Sequence, residues 1–273
     1  MQSSNPVFTR SEGFNGKNQT GYASFDQASD GGPITHSGVG TGRMTIDSVV
    51  QKTGATLGLV VLAAAATWVL SGDLFDSFGN VDNDVASRLY TLSLVGALGG
   101  FALSMVNSFK KVVSPALVLA YAAFEGVAIG AFSKVMEAQF GGGIVVGAVL
   151  GTVAAVAGTL AAYKIFDIQV GTKFRTWVIG MMFGFVAVTL LDLVLSFFHA
   201  DLGFNRLGGL GLVMSVIGLA IGVLMLILDF DFVERGIAAG LPERESWRAA
   251  FGLTVTIVWI YIELLRILAI LRD

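Results

Sequence analysis

Long apolar runs separated by short polar breaks occupy the chain from Thr53 to its end. A helix needs about 20 apolar residues to cross a bilayer, and seven runs approach this length, the first extended by an apolar face that begins at Ile46. We therefore predict an all-α integral membrane protein, a bundle of seven transmembrane helices. The predicted spans are Ala55–Leu70, Tyr90–Val106, Val112–Phe132, Gly142–Tyr163, Trp177–Phe198, Leu207–Leu228 and Ala250–Leu271.

The first 45 residues have a different pattern. They are rich in Gly, Ser, Asn, Thr and Gln and show no apolar period, so they cannot bury enough surface to offset the entropy of ordering. We predict a disordered polar N-terminal tail over residues 1–45 and a seven-helix transmembrane domain over residues 46–273.

Composition agrees with a membrane protein. The sequence is 54% hydrophobic and 14% charged, whereas about 25% of residues are charged in soluble domains. The absence of cysteine excludes disulfides, thiolate metal sites and thiol catalysis. A net charge of −3 does not favour nucleic-acid binding. The expected partner is the lipid bilayer, no cofactor is expected, and the oligomeric state is left open.

Lys and Arg are unequally divided between the two sides of the predicted bundle. Because cytoplasmic loops carry an excess of these residues, we expect the richer side, with the N-terminus, to be cytoplasmic. An odd number of spans then places the C-terminus outside. The richer side carries Arg43, Lys52, Lys110, Lys111, Lys164, Lys173, Arg175, Arg235, Arg244 and Arg248, and the other side carries Arg88, Lys134, Arg206 and Arg272.

The motifs of common membrane enzymes are missing from the sequence. There is no His-Glu-x-x-His zinc motif and no Gly-x-x-x-x-Gly-Lys phosphate loop. The two histidines, His36 in the tail and His199 at a helix end, cannot form a buried metal pair. We expect no enzymatic activity.

Acids inside the apolar runs are the candidate functional residues, because a charge at membrane depth costs roughly 2.5 to 3.5 kcal/mol or more. By helix rise, Glu125, Asp192 and Glu263 are expected near mid-depth and Asp229 and Asp231 nearer the cytoplasm. Such acids are typical of a cation or proton path.

Most of these acids also have a structural alternative. Glu263 and Arg266 are three residues apart and could neutralise each other. Asp192 could bond Thr189, and Asp231 could end the helix in solvent.

The sixth and seventh spans form a hairpin whose centre is marked by Gly240 and Pro242. Pairing the helices about that centre places Asp229 opposite Val255 and Thr256. Glu263 follows Thr256 by two turns on the same face. We therefore expect Glu263 to lie higher in the hairpin, against Gly222.

Three segments resemble the Bax inhibitor motif family of seven-helix membrane proteins, in its bacterial branch. They are Ser114-Pro115 with Phe124-Glu125-Gly126, Leu228-Asp229-Phe230-Asp231, and Leu264-Leu265-Arg266. The resemblance covers residues 46–271. It implies a bundle with a central C-terminal helix in a bacterial plasma membrane, and a calcium leak gated by pH.

In that family, an acid at the end of the sixth helix and a second acid in the seventh share a proton, and an arginine of the second helix latches the pore. Asp229 matches the first acid. Thr256 stands at the position of the second in an ungapped alignment, whereas Glu263 would stand there only after a seven-residue shift. The latch position falls near Ser108, where Lys110 and Lys111 are the nearest cations in the sequence. Arg266 in the seventh span is a further candidate for the latch.

Two hypotheses follow from the sequence. The first is a pH-sensitive leak for calcium or another cation, with Asp229, Thr256 and Asp231 sensing pH and Glu263, Glu125 and Asp192 lining the path. Asp229 and Glu263 would be the ligands if calcium binds. The second is a non-conducting protein that modulates other membrane proteins, such as a protease or a stress-response complex, and it predicts that the buried acids are paired.

Overall fold

The computed structural model describes residues 42–75, 78–200 and 202–272. Within these ranges the chain forms seven α-helices, each long and apolar enough to cross a membrane, which confirms the predicted fold class. The helices are α1 Ile46–Leu70, α2 Asn83–Phe109, α3 Pro115–Phe140, α4 Ile144–Ile165, α5 Thr172–Ser196, α6 Gly209–Ala238 and α7 Glu245–Ile270.

Local sequence signals set several helix starts. Thr45 caps α1 in a reciprocal arrangement with Ser48, and the Asp82 carboxylate accepts backbone N–H groups at the start of α2. Pro115 is the first residue of α3. It is tolerated there because N–H groups in the first turn of a helix have no hydrogen-bond partner within the helix. Helix α1 begins at Ile46, where the apolar face begins, and α3 begins three residues after the predicted Val112. Helix α2 begins seven residues before the predicted Tyr90.

The sixth helix ends later than predicted. The apolar run stops at Leu228, but α6 continues to Ala238, so Asp229 and Asp231 lie inside the helix and not at its end. By helix rise, Asp229 lies nine residues and about 13 Å before the last residue of α6.

The C-terminal helix α7 is central, as the family resemblance implied. It packs against α1, α3, α4 and α6, whereas α2 packs on α3 and α5 packs on α6. Three pairs of hydroxyl groups join α7 to α1 and α3. In each pair the two hydroxyls satisfy each other by a hydrogen bond. These pairs are Ser48 with Ser246 at 2.7 Å, Thr56 with Thr254 at 2.8 Å, and Ser133 with Tyr261 at 2.7 Å.

The connections that are rich in Lys and Arg meet at one end of the bundle, which we call the basic end. Arg248 at the start of α7 donates to the Lys111 carbonyl in the connection between α2 and α3. Arg235 in α6 donates to the Val170 carbonyl in the connection between α4 and α5. The predicted division of the connections between two ends is therefore present in the fold.

The predicted N-terminal tail falls mainly outside the described residues, which begin at position 42. The last four positions assigned to it, 42–45, are described and contact the α6–α7 connection. Met44 is 2% exposed and belongs to a core cluster with Val49. The packed part of the chain therefore starts before the predicted boundary at position 46.

Candidate functional site

The α6–α7 hairpin brings Asp229 against Thr256. The Thr256 hydroxyl donates a hydrogen bond of 2.6 Å to Asp229 Oδ2. This is the contact that pairing the hairpin about Gly240 and Pro242 predicted. Across the described residues, Asp229 forms no ion pair, so its carboxylate is held by a neutral partner.

The second oxygen of this carboxylate points towards Gly252, one turn before Thr256 on α7. A Cβ at position 252 would lie 3.4 Å from Asp229 Oδ1. The missing side chain therefore leaves room beside this oxygen. The Asp229 carboxylate thus lies against α7, with one oxygen bonded to Thr256 and the other beside the backbone of Gly252.

Asp231 lies in different surroundings, although only two residues separate it from Asp229. Its carboxylate is 2.9 Å from Arg175 Nη2 and 2.8 Å from Arg235 Nε, and the aspartate is 5% exposed. The prediction of a solvated helix end is wrong, because the residue is buried and paired. Its contacts also join α6 to the start of α5, so the geometry assigns it a structural role and does not bring it to Asp229.

Glu263 pairs with Arg266 on the same helix, as one reading of the sequence proposed. Arg266 Nη1 lies 3.6 Å from Glu263 Oε2, and the guanidinium also donates 3.1 Å to the Phe204 carbonyl. Glu263 packs against Gly218. A Cβ added at position 218 would lie only 2.6 Å from Glu263 Oε1, so a larger residue there would collide with the acid. The expected contact with Gly222 is wrong, because Gly222 faces Ile260.

The hypothetical calcium site between Asp229 and Glu263 is not formed. The helix rise between Gly218, which contacts Glu263, and Asp229 is about 16 Å along α6. Calcium lies about 2.3 to 2.6 Å from each ligand oxygen. The two carboxylates therefore cannot bind one ion in this arrangement.

Asp192 is buried near the end of α5, four residues before Ser196, and not at mid-depth. Its two oxygens accept the backbone N–H groups of Leu202 at 2.6 Å and Asn205 at 2.8 Å. The proposed bond from Thr189 is not made to it, because the Thr189 hydroxyl donates to helix carbonyls. Asp192 therefore fixes the α5–α6 connection.

Glu125 lies in α3 with its carboxylate against α2. A Cβ at Gly100 would be 2.7 Å from Glu125 Oε2, so the absence of a side chain there makes room for the acid. Among the described residues, neither a hydrogen bond nor an ion pair is found for this half-buried side chain. Glu125 and Asp229 are thus the two candidate acids without a charged partner in the described chain.

The candidate latch cations do not reach Asp229. Lys110 and Lys111 are exposed in the connection between α2 and α3. Arg266 contacts Glu263 and the Phe204 carbonyl. A cation bound to Asp229 is therefore absent from the part of the chain that the structure describes.

Sequence reasoning missed the arginine partners of Asp231 and the role of Gly252. Arg235 follows Asp231 by one helical turn, which is a spacing that predicts an ion pair. Arg175 is 56 positions away along the chain, and no local pattern connects it to Asp231. Gly252 precedes Thr256 by one turn, so the hairpin pairing itself could have placed it beside Asp229.

The seven helices long and apolar enough to cross a membrane, with α7 at the centre and acids placed between them, define a multi-pass helical membrane protein. The chain matches the family model described as Bax inhibitor 1 like over residues 5–273. It therefore belongs to the Bax inhibitor 1 like family. It is also similar to an uncharacterized protein of Chlamydia muridarum (strain MoPn / Nigg), with 29% identity over 178 residues that cover 62% of this chain and 72% of the relative.

Proposed function

We propose that this membrane protein is a pH-sensitive leak for calcium or another cation, controlled by Asp229. The observation that carries the proposal is the carboxylate inside α6 that bonds one hydroxyl of α7 and, among described residues, no cation. Acids at membrane depth are costly and commonly face a cavity or an ion pathway. Asp229 is chosen as the controlling acid because its one hydrogen bond joins α6 to the central helix α7 and, among the described residues, no cation neutralises it.

Protonation of Asp229 is the switch in this proposal. An ionised carboxylate only accepts hydrogen bonds, whereas the protonated acid carries one donor. The bond from Thr256 would then lose its charge assistance and weaken. Because this bond joins α6 to α7, a change in its strength alters the packing of the central helix.

The path itself is proposed to include Glu125 and Glu263 as further carboxylates. Oxygen ligands suit hard cations such as calcium, and Glu125 lacks a charged partner in the described chain. Asp192 is left out because both of its oxygens hold the α5–α6 connection. The single hydroxyl partner of Asp229 differs from the shared proton of two acids that the family resemblance implied, so Asp229 would act alone.

Calcium flux into liposomes tests the proposal. The purified protein is expected to conduct calcium with a rate that depends on pH, and Asp229→Asn is expected to remove that dependence. The matched control is Asp231→Asn, two positions away, which should keep the pH profile in the fraction that folds. No flux at any pH, or an unchanged profile in Asp229→Asn, would overturn the proposal.

The proposed location is a bacterial plasma membrane with the basic end in the cytoplasm. The supporting observation is the cluster of Lys and Arg in the connections at that end. Labelling of single cysteines introduced into the cysteine-free chain tests the orientation. A membrane-impermeant reagent should label Arg206→Cys from outside intact cells and should not label Lys111→Cys.

A second candidate is a non-conducting protein that modulates other membrane proteins. The pairing of three candidate acids favours it. Asp192 accepts backbone N–H groups, and Asp231 and Glu263 form ion pairs with arginines of the same chain. This candidate predicts that a stoichiometric partner co-purifies with the protein and that acid substitutions leave the phenotype intact. Neither candidate involves catalysis, and we propose no enzymatic activity.

A further inference from the structure

The segment that precedes α1 crosses the α6–α7 connection at the basic end. Backbone hydrogen bonds run from Met44 N to the Leu241 carbonyl at 2.7 Å and from Glu243 N to the Gly42 carbonyl at 2.8 Å. These bonds flank Arg43 and Pro242, which form an isolated antiparallel bridge. We call residues 42–45 the strap.

Pro242 fits this position because it lacks a backbone N–H. The two backbone hydrogen bonds lie on either side of the Arg43–Pro242 pair. Neither Arg43 nor Pro242 therefore has to donate a backbone N–H to the other segment. The turn sequence is therefore compatible with a paired strand segment at this point.

The side chain of Met44 anchors the strap in the core. It is 2% exposed, and a Cβ at Gly236 would lie 3.0 Å from its sulfur. Met44 shares one buried cluster with Leu226 and Leu253. Leu226 lies three residues before Asp229 on α6, and Leu253 lies three residues before Thr256 on α7. The anchor of the strap is thus part of the packing that brackets the Asp229–Thr256 contact.

A charged contact strengthens the same attachment. Lys52 Nζ is 3.1 Å from Glu243 Oε1 and 3.1 Å from the Glu243 carbonyl oxygen. It also lies 5.7 Å from the centre of the Trp247 ring, within reach of a cation–π interaction. The first turns of α1 therefore hold the α6–α7 connection from a second direction.

We propose that the strap is a positioning element that keeps α6 and α7 in the arrangement in which Thr256 bonds Asp229, and that its release loosens the hairpin and opens the leak. The second half of this statement rests on the proposed function. Met44 is a positioning residue in this account, since its own atoms do not contact Asp229 in any described interaction.

Truncation of the anchor tests the strap without measuring ions. Met44→Ala removes buried side-chain volume that the surrounding helices can refill only in part. We expect backbone amides near Asp229 and Thr256 to exchange hydrogen about tenfold faster, by mass spectrometry of the protein in lipid nanodiscs. The matched control is Ile46→Ala, which truncates a side chain that is 59% exposed and should leave the exchange unchanged.

A reversible cross-link completes the test. The non-hydrogen-bonded antiparallel pair Arg43 and Pro242 should have Cα atoms about 4.5 Å apart, which is compatible with a disulfide. Because the sequence contains no cysteine, Arg43→Cys/Pro242→Cys should form one disulfide. Combined with Met44→Ala, oxidation should restore slow exchange, and reduction should reverse it. Glu243→Gln, which weakens the bond to Lys52, is the milder variant if Met44→Ala does not fold.

The outcomes separate the strap from the leak. Slow exchange in folded Met44→Ala and Glu243→Gln, or failure of the cysteine pair to cross-link, would overturn the positioning role. Faster exchange that oxidation reverses, together with a parallel rise and fall of calcium flux, is the expected result. The same reversible exchange without any flux would support the strap as a positioning element and would contradict the leak.

Discussion

Asp229 and Asp231 belong to one turn of α6 but contact different parts of the molecule. Two residues correspond to about 200° of rotation around a helix, so Asp229 faces α7 and Asp231 faces the start of α5. The first accepts a bond from a threonine, and the second contacts two arginines. In Asp229, whose partner is neutral, protonation would change the contact with α7. In Asp231, the carboxylate joins α6 to α5 through an ion pair.

Loss of the Asp231 charge should give the largest change in stability. Asp231→Ala leaves Arg175 and Arg235 without their carboxylate, and breaking a buried ion pair costs roughly 3 to 5 kcal/mol. Because these arginine side chains are 41% and 56% exposed, we expect a loss of about 2 to 3 kcal/mol. Thermal unfolding in detergent, compared with Asp229→Asn, measures it. Equal losses in the two variants would remove the distinction between the acids.

Asp192 should behave like Asp231 and unlike Asp229. Asp192→Asn keeps one acceptor oxygen for the α5–α6 connection but loses the second, and a hydrogen bond to a charged group contributes about 1.5 to 3 kcal/mol. We expect a loss of about 2 kcal/mol and an unchanged pH profile of flux. Unfolding and liposome flux of the same preparation check both parts. A changed profile with unchanged stability would return Asp192 to the ion path.

Removal of the Thr256 hydroxyl should have a small effect on stability and a clear effect on the switch. Thr256→Val keeps the shape of the side chain but removes the donor to Asp229, at a cost of about 1 kcal/mol. We expect a displaced pH dependence of calcium flux. Thr254→Val is the matched control, because the Thr254 hydroxyl bonds Thr56 and the Ala250 carbonyl and not Asp229. Identical flux profiles in the two variants would exclude Thr256 from the switch.

Neutralising the candidate latch lysines should have the smallest effect. Lys110→Gln and Lys111→Gln change exposed side chains, for which stability changes stay within about 0.5 kcal/mol. We expect unaltered unfolding and an unaltered pH profile of flux. A strong increase in flux at high pH in either variant would show that a lysine does reach Asp229 in another conformation.

The helices and the Asp229–Thr256 contact were predictable because both follow from short-range regularities. Apolar length gave the spans, and the Gly240–Pro242 turn fixed the hairpin pairing. The end of α6 was predicted too early, since Asp229 and Asp231 interrupt the apolar run. Acids do not end a helix, so α6 continues through them to Ala238, and Arg175 and Arg235 pair with the Asp231 carboxylate.

The remaining contacts depend on positions far apart in the chain. The strap bonds the α6–α7 connection, about 200 positions away along the chain. Its four residues are too few to show a period that predicts a partner. Asp192 binds backbone N–H groups of the next connection, which any sequence could supply. Such contacts arise from tertiary packing, and the residue types alone do not specify them.

Asp229 is proposed as the acid of the hairpin whose protonation changes its contact with Thr256, whereas Asp231 contacts Arg175 and Arg235. Infrared difference spectroscopy of the protein in lipid, recorded across the pH range over which flux changes, observes protonated carboxyl groups directly. We expect Asp229→Asn to remove a titrating carboxyl band and Asp231→Asn to retain it. A spectrum that is unchanged in Asp229→Asn, or a band that disappears in Asp231→Asn, would rule out Asp229 as the protonated group.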